Sequence, residues 1–282
     1  MKYRHSFHAG NFADVHKHVT LLALLGALKR KEKGFLYLDT HAGRGSYDLS
    51  SPSAESLAGI GRFASRPHTA PELTAYAGLL ARFRAAAGKR HRYPGSPLIA
   101  ALELREQDRA VVIECLGAEA QSLGDSLADA GAGRVHVERG DGFERLRAFL
   151  PPPERRALTF IDPAYEETAQ DFARVGAALS EGLRRFPTGV FAAWYPIKEE
   201  RSTAAWLAHL TRALPAPALV SELWLYPRDS RVGLNGSGLL IVNPPYLTLE
   251  RTQLWLAELQ LSLAPGPGAG ASVRMCQNAG DD

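Results

Sequence analysis

Seven short apolar runs alternate with amphipathic stretches along this chain, and that alternation limits the folds open to it more than any other feature. The runs are Phe35–Asp39, Ala110–Glu114, Arg134–Val137, Ala157–Ile161, Gly189–Trp194, Leu219–Leu225 and Gly238–Val242, with Phe172–Phe186 and Ile197–Leu214 among the stretches between them. Short runs that stay apolar suit strands buried on both faces, and helices between them place those strands in a mostly parallel sheet. The last two runs are joined across Pro227 to Ser237 without a helical pattern, which predicts a closing antiparallel hairpin. The expected fold class is α/β, built on a seven-stranded sheet.

Three segments fall outside that pattern. Residues 1–34 form a basic, histidine-rich leader running into a helix. Residues 46–95 separate the first and second strands by far more than an ordinary crossover and hold about two helices, Glu72–Ala87 the clearer; they predict an inserted helical subdomain. Residues 265–282, opening on Pro265-Gly266-Pro267-Gly268, are expected to be a disordered tail. The core is then 35–45 and 96–264.

Composition narrows the function classes. The two cysteines, Cys115 and Cys276, supply neither a disulfide framework nor a metal cluster, and no His/Cys/acid spacing resembles a standard metal site, so no metal is expected. Val19 to Leu28 is too short to cross a bilayer, and the leader lacks a signal-peptide pattern; no membrane partner and a cytoplasmic location are expected. A net charge of +3 is compatible with a polyanionic partner without requiring one.

Chemistry concentrates at strand ends. The first strand ends in Asp39-Thr40-His41-Ala42-Gly43-Arg44-Gly45, where glycines permit a tight turn and close approach of a nucleotide-like ligand. The third glycine of a dinucleotide fingerprint is missing, Asp48 standing in its place. Glu114 closes the second strand and suits a ribose diol; Asp141-Gly142 follows the third and suits an adenine edge. Each acid alone is equally a solvated strand-end charge. Four consecutive strands with an acid at the C-terminal edge, Asp162 being the fourth, are far more specific, because open α/β sheets bind ligands at that edge.

Asp162-Pro163-Ala164-Tyr165 suits the methylation of a planar amino group. The Asp162 carboxylate and the Pro163 carbonyl can accept from the amino hydrogens, Asp162 can take the proton released, and Tyr165 offers a face for stacking an unpaired base. The alternative is a strand ending in a proline turn with a buried tyrosine. Asn243-Pro244-Pro245-Tyr246 repeats the pattern after the seventh strand. Strand order favours Asp162, because the fourth strand lies beside the first in the usual arrangement and the seventh lies further off.

The leader carries seven basic residues against two acidic over residues 1–34, a net of +5, interleaved with Tyr3, Phe7 and Phe12. That mixture suits phosphates and unstacked bases, with Tyr3, Arg4 and Lys17 as candidate RNA contacts. A solvated helix end is the bland alternative.

At this point the chain resembles the bacterial 23S ribosomal RNA adenine-N6 methyltransferases of the RlmJ family over nearly its whole length. The resemblance rests on Tyr3-Arg4-His5-Ser6-Phe7-His8-Ala9-Gly10-Asn11, Asp14, Lys17-His18, Phe35 through Gly43, Tyr93-Pro94-Gly95-Ser96-Pro97-Leu98-Ile99-Ala100, Asp141-Gly142-Phe143, Ile161-Asp162-Pro163 and Trp194-Tyr195-Pro196. It implies a class I S-adenosylmethionine-dependent, Rossmann-like fold with a helical insertion, acting as a monomer on one adenine of 23S ribosomal RNA. It also implies donor contacts from His18, His41, Gly43, Ser96, Glu114, Asp141, Gly142 and Asp162, with Tyr3 on the RNA. Ala164 departs from the family's Asp-Pro-Pro-Tyr, and the lost proline is expected to aim Tyr165 less firmly. A DNA adenine or protein glutamine amide methyltransferase, or a non-catalytic RNA-binding assembly factor, are the alternatives.

Overall fold

A computed structural model of the chain describes residues 8–86, 90–166, 168–230, 232–263 and 266–276. Eight strands form one sheet: β1 (Leu36–Asp39), β4 (Arg109–Glu114), β5 (Val135–Arg139), β6 (Ala157–Ile161), β7 (Val190–Ile197), β8 (Ala218–Trp224), β9 (Gly236–Val242) and β10 (Gly270–Cys276). Their order is β10-β8-β9-β7-β6-β1-β4-β5. From β5 to β7 neighbours run parallel, and β9 is antiparallel to both β7 and β8. Every residue of β1, β6 and β9 is buried, which explains why these strands read as unbroken apolar runs.

Helix α1 (Phe12–Lys29) packs on β6 and β9, and on α4 (Ser96–Glu103). Helix α5 (Gly117–Asp129) follows β4, α6 (Gly142–Phe149) follows β5, α7 (Thr168–Arg185) follows β6 and α8 (Glu200–Ala213) follows β7. Helix α9 (Thr248–Leu263) covers β8 and β10.

The segment between β1 and β4 leaves the sheet through a two-stranded ribbon, β2 (Ser46–Asp48) against β3 (Arg92–Pro94). Two helical pieces hang between these strands. Residues 54–64 are helical with a π turn at Leu57–Gly61, and α3 runs over Pro71–Ala85. Both pack on α1. The start of α1 is therefore enclosed, with Asp14, His16, Lys17 and His18 at most 5% exposed, and the expectation of a solvated helix end is overturned.

The tail expectation also fails, and with it the count of seven strands. Residues 270–276 pair antiparallel with β8, from Gly270 opposite Trp224 to Cys276 opposite Ala218. The Pro-Gly run is a turn, with Gly268 at φ 91°, rather than the start of disorder. Ala271, Val273 and Cys276 then rest on the core, and β10 covers an edge that β8 would otherwise present unpaired.

Candidate active site

A cleft of about 830 Å³ opens at the C-terminal ends of β1, β4 and β6. Its walls bring together eight residues singled out from the sequence: Lys17, His18, His41, Gly43, Ser96, Glu114, Asp162 and Pro163. Asp141, Gly142 and Tyr165 are not on those walls. Tyr3 and Arg4 lie outside the described residues.

The nucleotide-like end of the cleft is built by the β1 and β4 termini. Gly43 takes φ 63°, and a Cβ there would sit 2.5 Å from the Tyr47 hydroxyl, so only glycine fits the turn. Glu114 accepts from Gly43 N at 2.9 Å and from Leu116 N at 2.8 Å, which ties the two strand ends into one rim. Asp39 is fully buried beneath that rim, accepting from Ser96 Oγ (2.7 Å), the Tyr37 hydroxyl (2.8 Å) and His41 N (3.2 Å). Burial raises its carboxyl to about 6 despite those bonds. The same cause lowers the His41 imidazole to about 4, so a neutral ring faces the cleft at pH 7.

Asp141 and Gly142 have structural duties instead. Asp141 caps α6 by accepting from Phe143 N at 2.9 Å and pairs with Arg174. Gly142 touches backbone, since a Cβ there would lie 1.8 Å from Thr40 O. Their expected contact with the methyl donor is not seen in the cleft lining, because α6 starts at this point and the cap draws Asp141 to its own helix.

The reacting end is assembled by α1. Asn11 is its N-cap and accepts from Asp14 N at 2.9 Å, while Asp14 reaches back to Gly10 N at 2.8 Å. This reciprocal cap fixes the first turn, and one turn on Lys17 Nζ lies 3.0 Å from Asp14 and 2.8 Å from Asp162 Oδ2. The ammonium also stands 4.5 Å from the Trp194 ring centre. Lys17 is therefore a group of the cleft floor tied to the Asp162 carboxylate, not an open phosphate contact.

The tyrosine after Asp162-Pro163-Ala164 is turned inward. Tyr165 adopts φ 50°, is 3% exposed, and donates its hydroxyl to Trp194 O at 2.7 Å. Its ring meets Phe172 and Trp194 edge to face. It has no face available to a base in this conformation, which corrects the stacking expectation, and the hydroxyl bond and rings hold it whatever occupies position 164. Trp194 is the aromatic group on the cleft wall. Sequence reasoning passed over it because it closes the apolar run of β7 and reads as core. Asp39 was missed as well, since its partner Ser96 is 57 residues away.

Asn243 lies at the other edge of the sheet. Because β9 runs against β7, Val242 faces Phe191, and Asn243 Nδ2 donates to Pro187 O (2.7 Å) and Gly189 O (2.8 Å). Among the described residues no group of three or more His, Cys, Asp or Glu could hold a metal, and no helix is long and apolar enough to cross a membrane.

The strand order, the glycine turn and an Asp-Pro at the end of the strand beside β1 define a class I methyltransferase of the α/β type. Comparison with known proteins narrows this. The model of the family described as "Ribosomal RNA large subunit methyltransferase D, RlmJ" matches residues 32–274. Two relatives carry the name ribosomal RNA large subunit methyltransferase J. The Escherichia coli (strain K12) protein is 39% identical, over 97% of this chain and 98% of its own. The Haemophilus influenzae protein is 38% identical, over 94% and 95%. A crystal structure from Legionella pneumophila superposes with a TM-score of 0.84 at 33% identity, covering 97% of this chain and 99% of that one. The chain belongs to the RlmJ family of ribosomal RNA methyltransferases.

Proposed function

We propose that this enzyme methylates the exocyclic N6 of one adenine in 23S ribosomal RNA, with Asp162 and Pro163 as the catalytic groups. The observation that carries the reading is the sharing of one cleft by two chemistries: the Gly43–Glu114 rim and the Asp162-Pro163 acceptor pair. When bound, S-adenosylmethionine supplies an electrophilic methyl group, and Gly43, Glu114, Ser96, His41 and His18 are the residues placed to hold it.

The chain's own part is to make the amine reactive. An adenine amino group delocalises its lone pair into the ring. Acceptors on its hydrogens, from the Asp162 carboxylate and the Pro163 carbonyl, favour a pyramidal nitrogen with a localised pair. Lys17 on Oδ2 holds the carboxylate in place and stabilises its charge through a charge-assisted bond. Asp162 is also the group to take the proton lost once nitrogen has gained its fourth bond. Trp194 offers the apolar wall against which a base removed from its stack can rest. Tyr3 and Arg4 of the leader are assigned to the RNA, in keeping with its charge of +5 over residues 1–34.

The test is transfer of labelled methyl groups to 23S ribosomal RNA lacking the modification, followed by nucleoside digestion. N6-methyladenosine is expected, and only with Asp162 intact. Label on another atom, or transfer that survives Asp162→Ala, overturns the reading.

A further inference from the structure

Two tyrosines of the inserted segment close a hydrogen-bonded triangle on His18. The Tyr93 hydroxyl lies 2.8 Å from His18 Nδ1 and 2.9 Å from the Tyr76 hydroxyl, which is itself 3.5 Å from the same ring nitrogen. Tyr76 comes from α3, Tyr93 from β3 and His18 from α1, so three elements meet at one point. Both tyrosines are 0% exposed. Burial keeps both phenols protonated, each well above its usual range. Among the described residues neither hydroxyl has another hydrogen-bond partner.

Proton counting then fixes the tautomer. If Nδ1 is bare, Tyr76 donates to Tyr93, Tyr93 donates to Nδ1, and both hydroxyl protons are accepted. If Nδ1 carries a proton, it must donate to one tyrosine oxygen, and the last hydroxyl in the chain is left without an acceptor in a dry site. An orphaned buried donor is costly, so the first arrangement wins. The imidazole proton therefore sits on Nε2, the ring's other polar atom, and His18 lines the cleft.

We propose that Tyr93, backed by Tyr76, is a positioning residue that sets His18 as an Nε2–H donor for the carboxylate at the amino-acid end of the methyl donor. The proposal rests on the methyl-donor reading of the cleft. A carboxylate only accepts hydrogen bonds, and the other cationic donor nearby, Lys17, is engaged by Asp14 and Asp162. A neutral N–H of fixed direction suits the remaining task. The inserted segment thereby acts on donor selection without touching the donor.

Two measurements test this on the full chain. Nitrogen-15 spectra of histidine-labelled protein, with the His18 signals assigned by their loss in His18→Gln, should show a bare Nδ1 and a protonated Nε2; this needs no tyrosine variant to fold. Calorimetry should show S-adenosylhomocysteine binding to Tyr93→Phe about tenfold more weakly, and to Tyr76→Phe within about twofold, because Tyr93 can still donate there. The decarboxylated analogue should bind the unaltered protein and Tyr93→Phe within about twofold of each other. A merely structural role would weaken both ligands equally. A protonated Nδ1, or equal weakening of both ligands in Tyr93→Phe, overturns the proposal alone. Failure of the unaltered protein to bind S-adenosylhomocysteine at all overturns it together with the methyl-donor reading.

Discussion

Asp162-Pro163-Ala164-Tyr165 and Asn243-Pro244-Pro245-Tyr246 are near-copies in sequence and opposites in place. Both follow a fully buried strand, and each contains a left-handed residue, Tyr165 at φ 50° and Asn243 at φ 53°. Yet Asp162 stands on the cleft beside Lys17, whereas Asn243 ties down the loop that enters β7. Strand direction makes the difference. β6 delivers its last residue to the edge shared by β1 and β4, and β9, running the other way, delivers its own to the far edge. A short motif gains its chemistry from the edge it reaches.

The sharpest way to break this contrast is substitution at both sites. Asp162→Ala should lower kcat/KM on ribosomal RNA by about 10³, within the range for a lost general base or charge stabiliser. Asn243→Ala should leave turnover within about twofold and cost about 1–2 kcal/mol in urea unfolding, for two bonds lost at a left-handed position. Equal activity losses at matched stability would erase the distinction. Lys17→Met comes next. It leaves the Asp14 and Asp162 carboxylates near each other without their ammonium, so it should cost about 2–4 kcal/mol as well as activity. Lys17→Met with Asp162→Asn should be less destabilised than the sum of the two single changes, a coupling readable in a double-mutant cycle.

The strand bearing Asn243 has a second duty that pH can expose. His16, fully buried on α1, shares hydrogen bonds of 3.0 Å with Ser237 of β9 and Ser221 of β8. Burial lowers its imidazole from 6.5 to about 3. The folded state thus resists a proton that the unfolded state takes up, so this contribution is full above pH 6.5 and is lost as pH falls towards 3. His16→Gln should flatten the fall in unfolding free energy between those limits. An unchanged slope would show that other groups govern acid sensitivity. The smallest effect belongs to Ala164→Pro. With Tyr165 already held by Trp194 and Phe172, turnover should stay within about twofold; a large loss would show that the alanine turn has a geometry proline cannot adopt.

Much of the frame was legible from local pattern. The seven expected strands begin and end close to where they were read, and the inserted segment starts and stops at the ribbon strands β2 and β3, because apolar runs and turn residues are local signals. What escaped is non-local. The burial of Lys17 depends on an acid 145 residues away, and its basic character alone pointed to phosphate. The inward turn of Tyr165 depends on a carbonyl of β7. The strand β10 was hidden because a Pro-Gly turn precedes only seven residues whose alternating apolar side, Ala271 and Val273, is modest.

The burial of α1 also bears on how the protein is made. The helix emerges early from the ribosome, yet the partners of His16 follow 205 and 221 residues later and the partner of Lys17 follows 145 residues later. An apolar helix made first and seated last cannot settle while the chain is growing, and contacts of such separation form slowly. The nascent enzyme must therefore shelter that helix until β8 and β9 exist. Lys17 reaches Asp162 only when α1 docks, so a polypeptide still being translated lacks the assembled cleft and is silent towards the RNA of the machine that is making it.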